Sequence, residues 1–120
     1  MILLFGNSDG YILLPEVVHT YPPAKTYKAQ RSIVVDEKDP SDVADYTVDW
    51  SQLLGSDTIS VSLWSVPTGL TGISATKTTT TTNIWVSGGD ENTDYYIGHR
   101  ITTADGRKFD RYVVVPVRNL

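Results

Sequence analysis

The sequence contains no cysteine and only two histidines among its 120 residues. Without cysteine the chain forms no disulfides and no thiolate metal site. The two histidines, His19 and His99, lie far apart in the sequence, and neither belongs to a recognisable catalytic or metal-binding constellation. The G-x-S-x-G motif, phosphate-binding loops and Gly-rich dinucleotide turns are also missing. We therefore predict that the protein is not an enzyme and holds no metal or cofactor.

Positive charge is scarce as well. The 10 Lys and Arg residues are outnumbered by 14 Asp and Glu residues, which gives a net charge of −4. Because binding to nucleic acid or to an anionic membrane needs a basic surface, we expect neither partner. The apolar start, MILLF, is shorter than the roughly 7–15 residues of a secretory signal, and no run approaches the ~20 residues of a membrane span. The chain therefore reads as soluble and not secreted.

Alternating apolar and polar residues predict β-strands. In DYTVDWSQLL, the side chains of Tyr46, Val48 and Trp50 fall on one face, and polar residues separate them. Turn signals such as LGSD, VPTG and SGGDEN divide the chain into short segments. Short strands with a turn roughly every 8–12 residues are typical of a sandwich. We predict an all-β protein with an Ig-like antiparallel β-sandwich over residues 31–120.

The segment DTISVSLWSVP changes phase in its middle. Ile59, Val61 and Leu63 alternate with serines, whereas Trp64 and Val66 continue on the opposite face. One extra residue in a strand re-aims the side chains that follow it. We therefore predict a β-bulge near Leu63 and Trp64.

The last two strands form a predicted hairpin around Ala104-Asp105-Gly106. A three-residue loop, with Gly106 in the left-handed region, places Ile101 opposite Phe109 and Arg100 opposite Asp110. In this register an apolar residue faces an apolar one, and a positive charge faces a negative one, which favours cross-strand pairing.

Residues 1–30 have a different character. The runs MILLF and YILLPEVV are apolar without regular alternation, and the following Pro-Pro step favours an extended, unpaired backbone. We predict an extended N-terminal arm that docks on this domain or on a neighbour. Its large apolar side chains are the candidate interface residues: Ile2, Leu3, Leu4, Phe5, Tyr11, Leu13, Leu14 and Tyr21.

Five further residues receive specific predictions. Trp50 and Trp64 are expected in the core, and Gly106 is expected in the closing turn. Tyr95, which opens the penultimate strand, is expected to return its hydroxyl to upstream backbone, as a tyrosine does in Ig-like sandwiches. Trp85 is out of phase with Ile84 and Val86, so we expect it to be exposed at an interface.

Three segments of the chain resemble a family of small tailed-bacteriophage proteins, the fiber-tail adaptor proteins. The resemblance covers about residues 36–118. It is carried by the opening KDPSDVADYTVDW, by the centre WSVPTGL, and by the closing SGG, TDY and RITTADGR. The matching residues of the closing motif are Tyr95, Arg100, Thr102, Thr103, Gly106 and Arg107.

This resemblance implies a structural component of the virion, assembled in the host cytoplasm. The implied partners are ring proteins of the tail, nozzle or portal adaptor and the tail fiber protein, and the implied copy number is on the order of six or twelve by symmetry. The alternative is another Ig-like virion module: a head–tail completion protein, a decoration protein or a host-glycan-binding domain. The fold is common to these alternatives and does not decide between them.

Overall fold

The computed structural model describes residues 25–120, and most of this range is β-strand. Within it no helix is long and apolar enough to cross a membrane. In chain order the elements are β1 (Thr26–Lys28), β2 (Ser32–Val34), β3 (Val43–Asp49), α1 (Ser51–Leu54), β4 (Ile59–Ser65), β5 (Leu70–Lys77), β6 (Thr81–Gly88), β7 (Thr93–Thr103) and β8 (Lys108–Val117).

The strands form two four-stranded sheets. The first sheet has the order β1-β3-β6-β5 and the second has the order β2-β8-β7-β4. The apolar core joins inward-facing side chains of both sheets, as in a sandwich. The predicted all-β sandwich is confirmed, whereas the Ig-like assignment stays a prediction.

Both sheets are mixed, so the expectation of purely antiparallel pairing is wrong. The short strands β1 and β2 run parallel to β3 and β8, respectively. Each has only three residues, too few for an alternating pattern to indicate a strand or its partner. The predicted arm, residues 1–30, overlaps the sandwich, because Thr26–Lys28 already forms a strand of the first sheet. Residues 1–24 lie outside the described residues.

The alternation in β3 is confirmed. Tyr46, Val48 and Trp50 are all buried, and Val48 and Trp50 are completely inaccessible. Their partners in β6 include Ile84, which lies opposite Tyr46 and is also buried. Paired strands therefore bring two alternating apolar rows onto the same side of the sheet.

The predicted bulge of β4 is present, but its predicted position is wrong. The register with β7 shifts between Ile59 and Val61, several residues before Trp64. Ile59 is buried, whereas Val61 and Leu63 are 43% and 57% exposed. The early bulge turns these two side chains outward and points Trp64 toward the core, where it stacks on a buried ring.

The closing hairpin has the predicted register. Ile101 lies opposite Phe109 and Arg100 lies opposite Asp110. The turn is closed by two backbone hydrogen bonds, from Thr103 N to the Arg107 carbonyl (2.8 Å) and from Gly106 N to the Thr103 carbonyl (2.9 Å). Gly106 has a φ of +89°, a backbone conformation that glycine adopts readily because it lacks a Cβ.

Candidate interaction surface

The outward side of the second sheet carries an exposed apolar patch. In the described part of the chain, nine large hydrophobic residues are exposed, and five of them lie on this one surface. All four strands contribute to it. We call this patch the tyrosine face, and its members are Val34, Val61, Leu63, Tyr96 and Tyr112. Contiguous apolar patches of this kind mark sites of interaction.

The strand register explains why these side chains are neighbours. Val114 of β8 pairs with Val34 on one side and with Tyr96 on the other. Tyr112 pairs with Gly98, two residues farther along β7. The rings of Tyr96 and Tyr112 meet edge to face, with centroids 6.4 Å apart and planes at 76°. Such a pair presents a broad aromatic surface at a small cost in side-chain entropy.

A shallow depression of about 360 Å³ lies beside Tyr112. Its lining includes Gly98, and because glycine has no side chain, the depression reaches the backbone of β7 at that point. A Cβ at Gly98 would lie 3.5 Å from Ser65 Cβ and 4.0 Å from Tyr112 Cε1. Leu63 lines the depression as well. The tyrosine face therefore combines projecting aromatic rings with a recess that can accept a partner side chain.

An ion pair borders this depression. Arg100 donates two hydrogen bonds to the Asp110 carboxylate, from Nε (2.6 Å) and from Nη2 (3.0 Å). These bonds, together with the opposite charges, lower the pKa of Asp110 and raise the pKa of Arg100. Both side chains are more than half exposed, so they contribute orientation and polarity to the surface and little stability to the fold.

A buried polar network lies beneath the tyrosine face. The Nδ1 atom of His99 lies 2.8 Å from the Leu63 carbonyl, which only accepts hydrogen bonds, so Nδ1 carries the proton. The Nε2 atom therefore accepts from the Thr82 hydroxyl (2.9 Å), and that hydroxyl accepts from Trp50 Nε1 (3.0 Å). This chain of hydrogen bonds connects the two sheets through the core.

His99 is held in its neutral form by this environment. Burial lowers its pKa to about 4, and the hydrogen bond to the Leu63 carbonyl opposes that shift. His99 shares a face with the buried residues Ile97 and Ile101, and it lies within the core with only 3% of its surface exposed. The network positions β4 and β7 against β6, and through Leu63 it supports the tyrosine face.

Two buried charged groups, Asp57 and Lys38, hold loops of the sandwich in place. Asp57 accepts hydrogen bonds from Arg107 and from the backbone N–H of Thr58 and Asp105. Hydrogen bonding from Thr103 and Arg107 lowers the pKa of Asp57 to about 2, against the opposing effect of burial. Thr103, Arg107 and the turn residue Gly106 belong to the closing motif, which therefore serves here to anchor the hairpin.

Lys38 is the second buried charged residue, and only 1% of its surface is exposed. Its Nζ donates to the carbonyls of Gly88 (2.6 Å) and Asp39 (3.0 Å), which connects the loop before β3 to the end of β6. Burial lowers the pKa of Lys38.

Tyr95 makes the hydrogen bond that the sequence predicts. Its hydroxyl accepts from the backbone N–H of Asp90 at 2.8 Å, five residues upstream. Its side chain packs so closely on Gly69 that a Cβ there would lie 3.0 Å from both Cε1 and the hydroxyl oxygen of Tyr95. Gly69 also has a φ of +101°. The tyrosine thus ties together the turns before β5 and before β7.

The tryptophans occupy three different environments. Trp50 is fully buried in the core, as predicted. Trp64 packs against the core and is partly buried. Trp85 is 41% exposed on the outer face of the first sheet, opposite Asp45 and Ser74, which fits its predicted exposure. The other predicted interface residues all precede Lys25 and lie outside the described residues: Ile2, Leu3, Leu4, Phe5, Tyr11, Leu13, Leu14 and Tyr21.

The tyrosine face was not among the residues predicted from the sequence. The sequence does carry a signal for the two tyrosines. Tyr96 follows the buried Tyr95 and Tyr112 precedes the buried Val113, so in their strands both tyrosines point to the opposite, outward face. The contribution of Leu63 had no such signal, because the position of the bulge in β4 decides which way Leu63 points.

Comparison with known proteins finds a family that matches this part of the chain. The family model of the podophage GP4 fiber-tail adaptor protein gp77 matches residues 38–116, which is most of the described sandwich. No curated protein matches the chain. The matched range runs from before β3 to the penultimate residue of β8, and it includes the His99 network, the Asp57–Arg107 anchor and four members of the tyrosine face. The chain belongs to the podophage GP4 fiber-tail adaptor family, whose members are structural proteins of the phage virion.

Proposed function

We propose that this protein connects tail fibers to the phage tail through protein–protein contacts and that it has no catalytic role. Its partners are then a ring protein of the tail, nozzle or portal adaptor on one side and the tail fiber protein on the other. We further propose that several symmetric copies act together in the virion, on the order of six or twelve, after assembly in the host cytoplasm.

The observation that carries this proposal is the tyrosine face. Its exposed residues are tyrosines and aliphatic residues, and Arg100 lies beside them. Aromatic residues and Arg are enriched in protein interfaces, and permanent interfaces are the more apolar ones. A domain that stays fixed in a virion requires such a contact with at least one neighbour.

A matched pair of substitutions tests this role. Leu63 and Leu120 are both exposed, by 57% and 67%, but only Leu63 belongs to the tyrosine face. Phage that lack the gene are complemented with Leu63→Glu or Leu120→Glu, and the adaptor content of purified particles is measured by mass spectrometry. We expect at least a tenfold loss of adaptor with Leu63→Glu, because docking would bury an added carboxylate next to Arg100, whose guanidinium is already bonded to Asp110.

Leu120→Glu is expected to enter particles at the wild-type level. Thermal unfolding of both purified variants shows whether each one folds. Normal incorporation of folded Leu63→Glu would contradict docking through this surface. Particles that form, infect and carry fibers without the protein would contradict the adaptor function itself.

A further inference from the structure

One side of the sandwich is open between β4 and β5. These strands are the last strands of their respective sheets, so within residues 25–120 no further strand is hydrogen-bonded to either outer edge. A groove runs between them in two parts, with volumes of about 210 and 190 Å³. Its lining is mostly apolar and includes Trp64, Val66, Ile73, Ala75 and Ile84.

Two polar side-chain atoms are buried beside this groove. Among the described residues, neither Trp64 Nε1 nor Ser62 Oγ has a hydrogen-bond partner, and both residues line the groove. Buried polar atoms of folded proteins nearly always have a partner. An extended backbone placed in the groove presents carbonyl and amide groups, which are suitable partners for the indole N–H and the serine hydroxyl. The same backbone pairs with the free edges of β4 and β5.

The N-terminal segment of the chain has the composition that this groove requires. Residues 1–14, MILLFGNSDGYILL, are mostly apolar, and Asp9 is their only charged side chain. The groove is also almost without charge, since Lys77 at one end is the only charged residue in its lining. Apolar side chains at alternate positions of an added strand would face the groove, and Asp9 is complementary to Lys77.

The position of Lys25 favours a neighbouring copy as the source of the segment. The described chain begins beside β1, which forms the opposite edge of the first sheet from β5. To reach the groove of its own copy, the chain before Lys25 would have to cross the full width of the first sheet. Donation to a neighbouring copy needs no such crossing, and it makes a head-to-tail contact, which closes into a ring where the rotation between copies allows it.

We propose that residues 1–14 of a neighbouring copy add as an extended strand in the groove between β4 and β5. Each copy then donates its segment to the next copy and receives one from the previous copy. This inference rests on the proposed function, because it requires adaptor copies to be adjacent.

Photo-cross-linking of the full-length chain tests the proposal. The photoreactive residue p-benzoylphenylalanine replaces Ile73, which lines the groove and is 54% exposed. The control position is Val43, which is 57% exposed and lies in β3, the strand that β6 separates from β5. Equal amounts of ¹⁴N- and ¹⁵N-labelled chains are mixed. The mixture is irradiated in two preparations, at high protein concentration in solution and in phage particles. Both preparations are then digested for mass spectrometry.

The expected product is a peptide from residues 1–14 linked to the Ile73 position of the other isotopic label, with no such product from the Val43 position. Links that occur only within one chain would overturn the proposal and show that each copy fills its own groove. The proposal would also be overturned if the Ile73 position were linked only to other proteins in both preparations, or if it formed no link to residues 1–14. The presence of the protein in particles is scored independently, so failure of the strand exchange is distinguished from failure of the adaptor function.

Discussion

The imidazole of His99 lies flat against the indole of Trp64, with ring centroids 3.5 Å apart and planes within 4° of parallel. The indole of Trp50 meets the same imidazole edge to face, at a centroid distance of 5.5 Å. His99 is therefore enclosed by aromatic rings while its two nitrogens bond to Leu63 and Thr82. The histidine joins the two sheets at a point directly beneath the tyrosine face.

The first prediction concerns the pH dependence of stability. The pKa of His99 is about 4 in the folded protein and 6.5 in the unfolded chain. Between these values the unfolded state binds one more proton, so the free energy of unfolding falls as the pH decreases from about 6.5 to about 4. One pKa unit corresponds to about 1.4 kcal/mol, so we expect a loss of roughly 3 kcal/mol from this group.

Urea denaturation at several pH values measures this effect, and His99→Gln is the control. Glutamine keeps a hydrogen-bonding side chain but does not titrate. The variant is expected to be less stable at pH 7 and to lose less stability than wild type between about pH 6.5 and pH 4. Comparison of the two proteins removes contributions from all other titrating groups. Parallel pH profiles for both proteins would contradict the assignment of this effect to His99.

The second prediction concerns the Tyr95 hydrogen bond. Tyr95→Phe removes the hydroxyl that accepts from Asp90 N. We expect a loss of roughly 0.5–1.5 kcal/mol, the net value of one hydrogen bond. The adjacent Tyr96 is 57% exposed, so Tyr96→Phe is expected to change the unfolding free energy very little. Denaturant midpoints of the two variants test the difference, and equal midpoints would show that the Tyr95 hydroxyl does not stabilise this corner.

Sequence patterns predict this fold best where neighbouring residues decide the structure. The register of β7 and β8 follows from a short turn and from pairs such as Ile101 with Phe109, so it is predictable. The bulge of β4 depends on its alignment with β7, which is distant in sequence, and the alternation of Ile59, Val61 and Leu63 indicated the wrong face.

Burial of charge is similarly hard to predict. Lys38 is buried because the Gly88 carbonyl, 50 residues away, accepts its ammonium hydrogen. Nothing in the residues around Lys38 indicates that partner. The parallel pairing of β1 and β2 also depends on distant strands. For the candidate site, the exposure of Trp85 followed from its phase with Ile84, whereas the tyrosine face required knowledge of the whole second sheet.

The outer faces of the two sheets differ in chemistry, and this difference leads to the last prediction. The tyrosine face is broad and apolar, whereas Trp85 is surrounded by polar residues. Asn83 on the same face donates to Asp45 Oδ2 (3.0 Å) and Thr47 Oγ1 (2.8 Å). Apolar faces are typical of permanent contacts, and a single aromatic side chain amid polar groups is typical of a binding hot spot. If the protein is an adaptor, these are suitable surfaces for its two partners.

We predict that Trp85→Thr gives particles that retain the adaptor but carry fewer fibers. Threonine suits a strand, so we expect a loss of stability of less than about 1 kcal/mol. The measurement is the ratio of fiber to adaptor protein in purified particles, with unfolding curves of the isolated variant as the test of folding. Trp85→Phe keeps an aromatic ring and is expected to restore most of the fiber content. A normal fiber ratio with Trp85→Thr would exclude Trp85 from the fiber contact, and loss of the adaptor itself would assign this face to the tail instead.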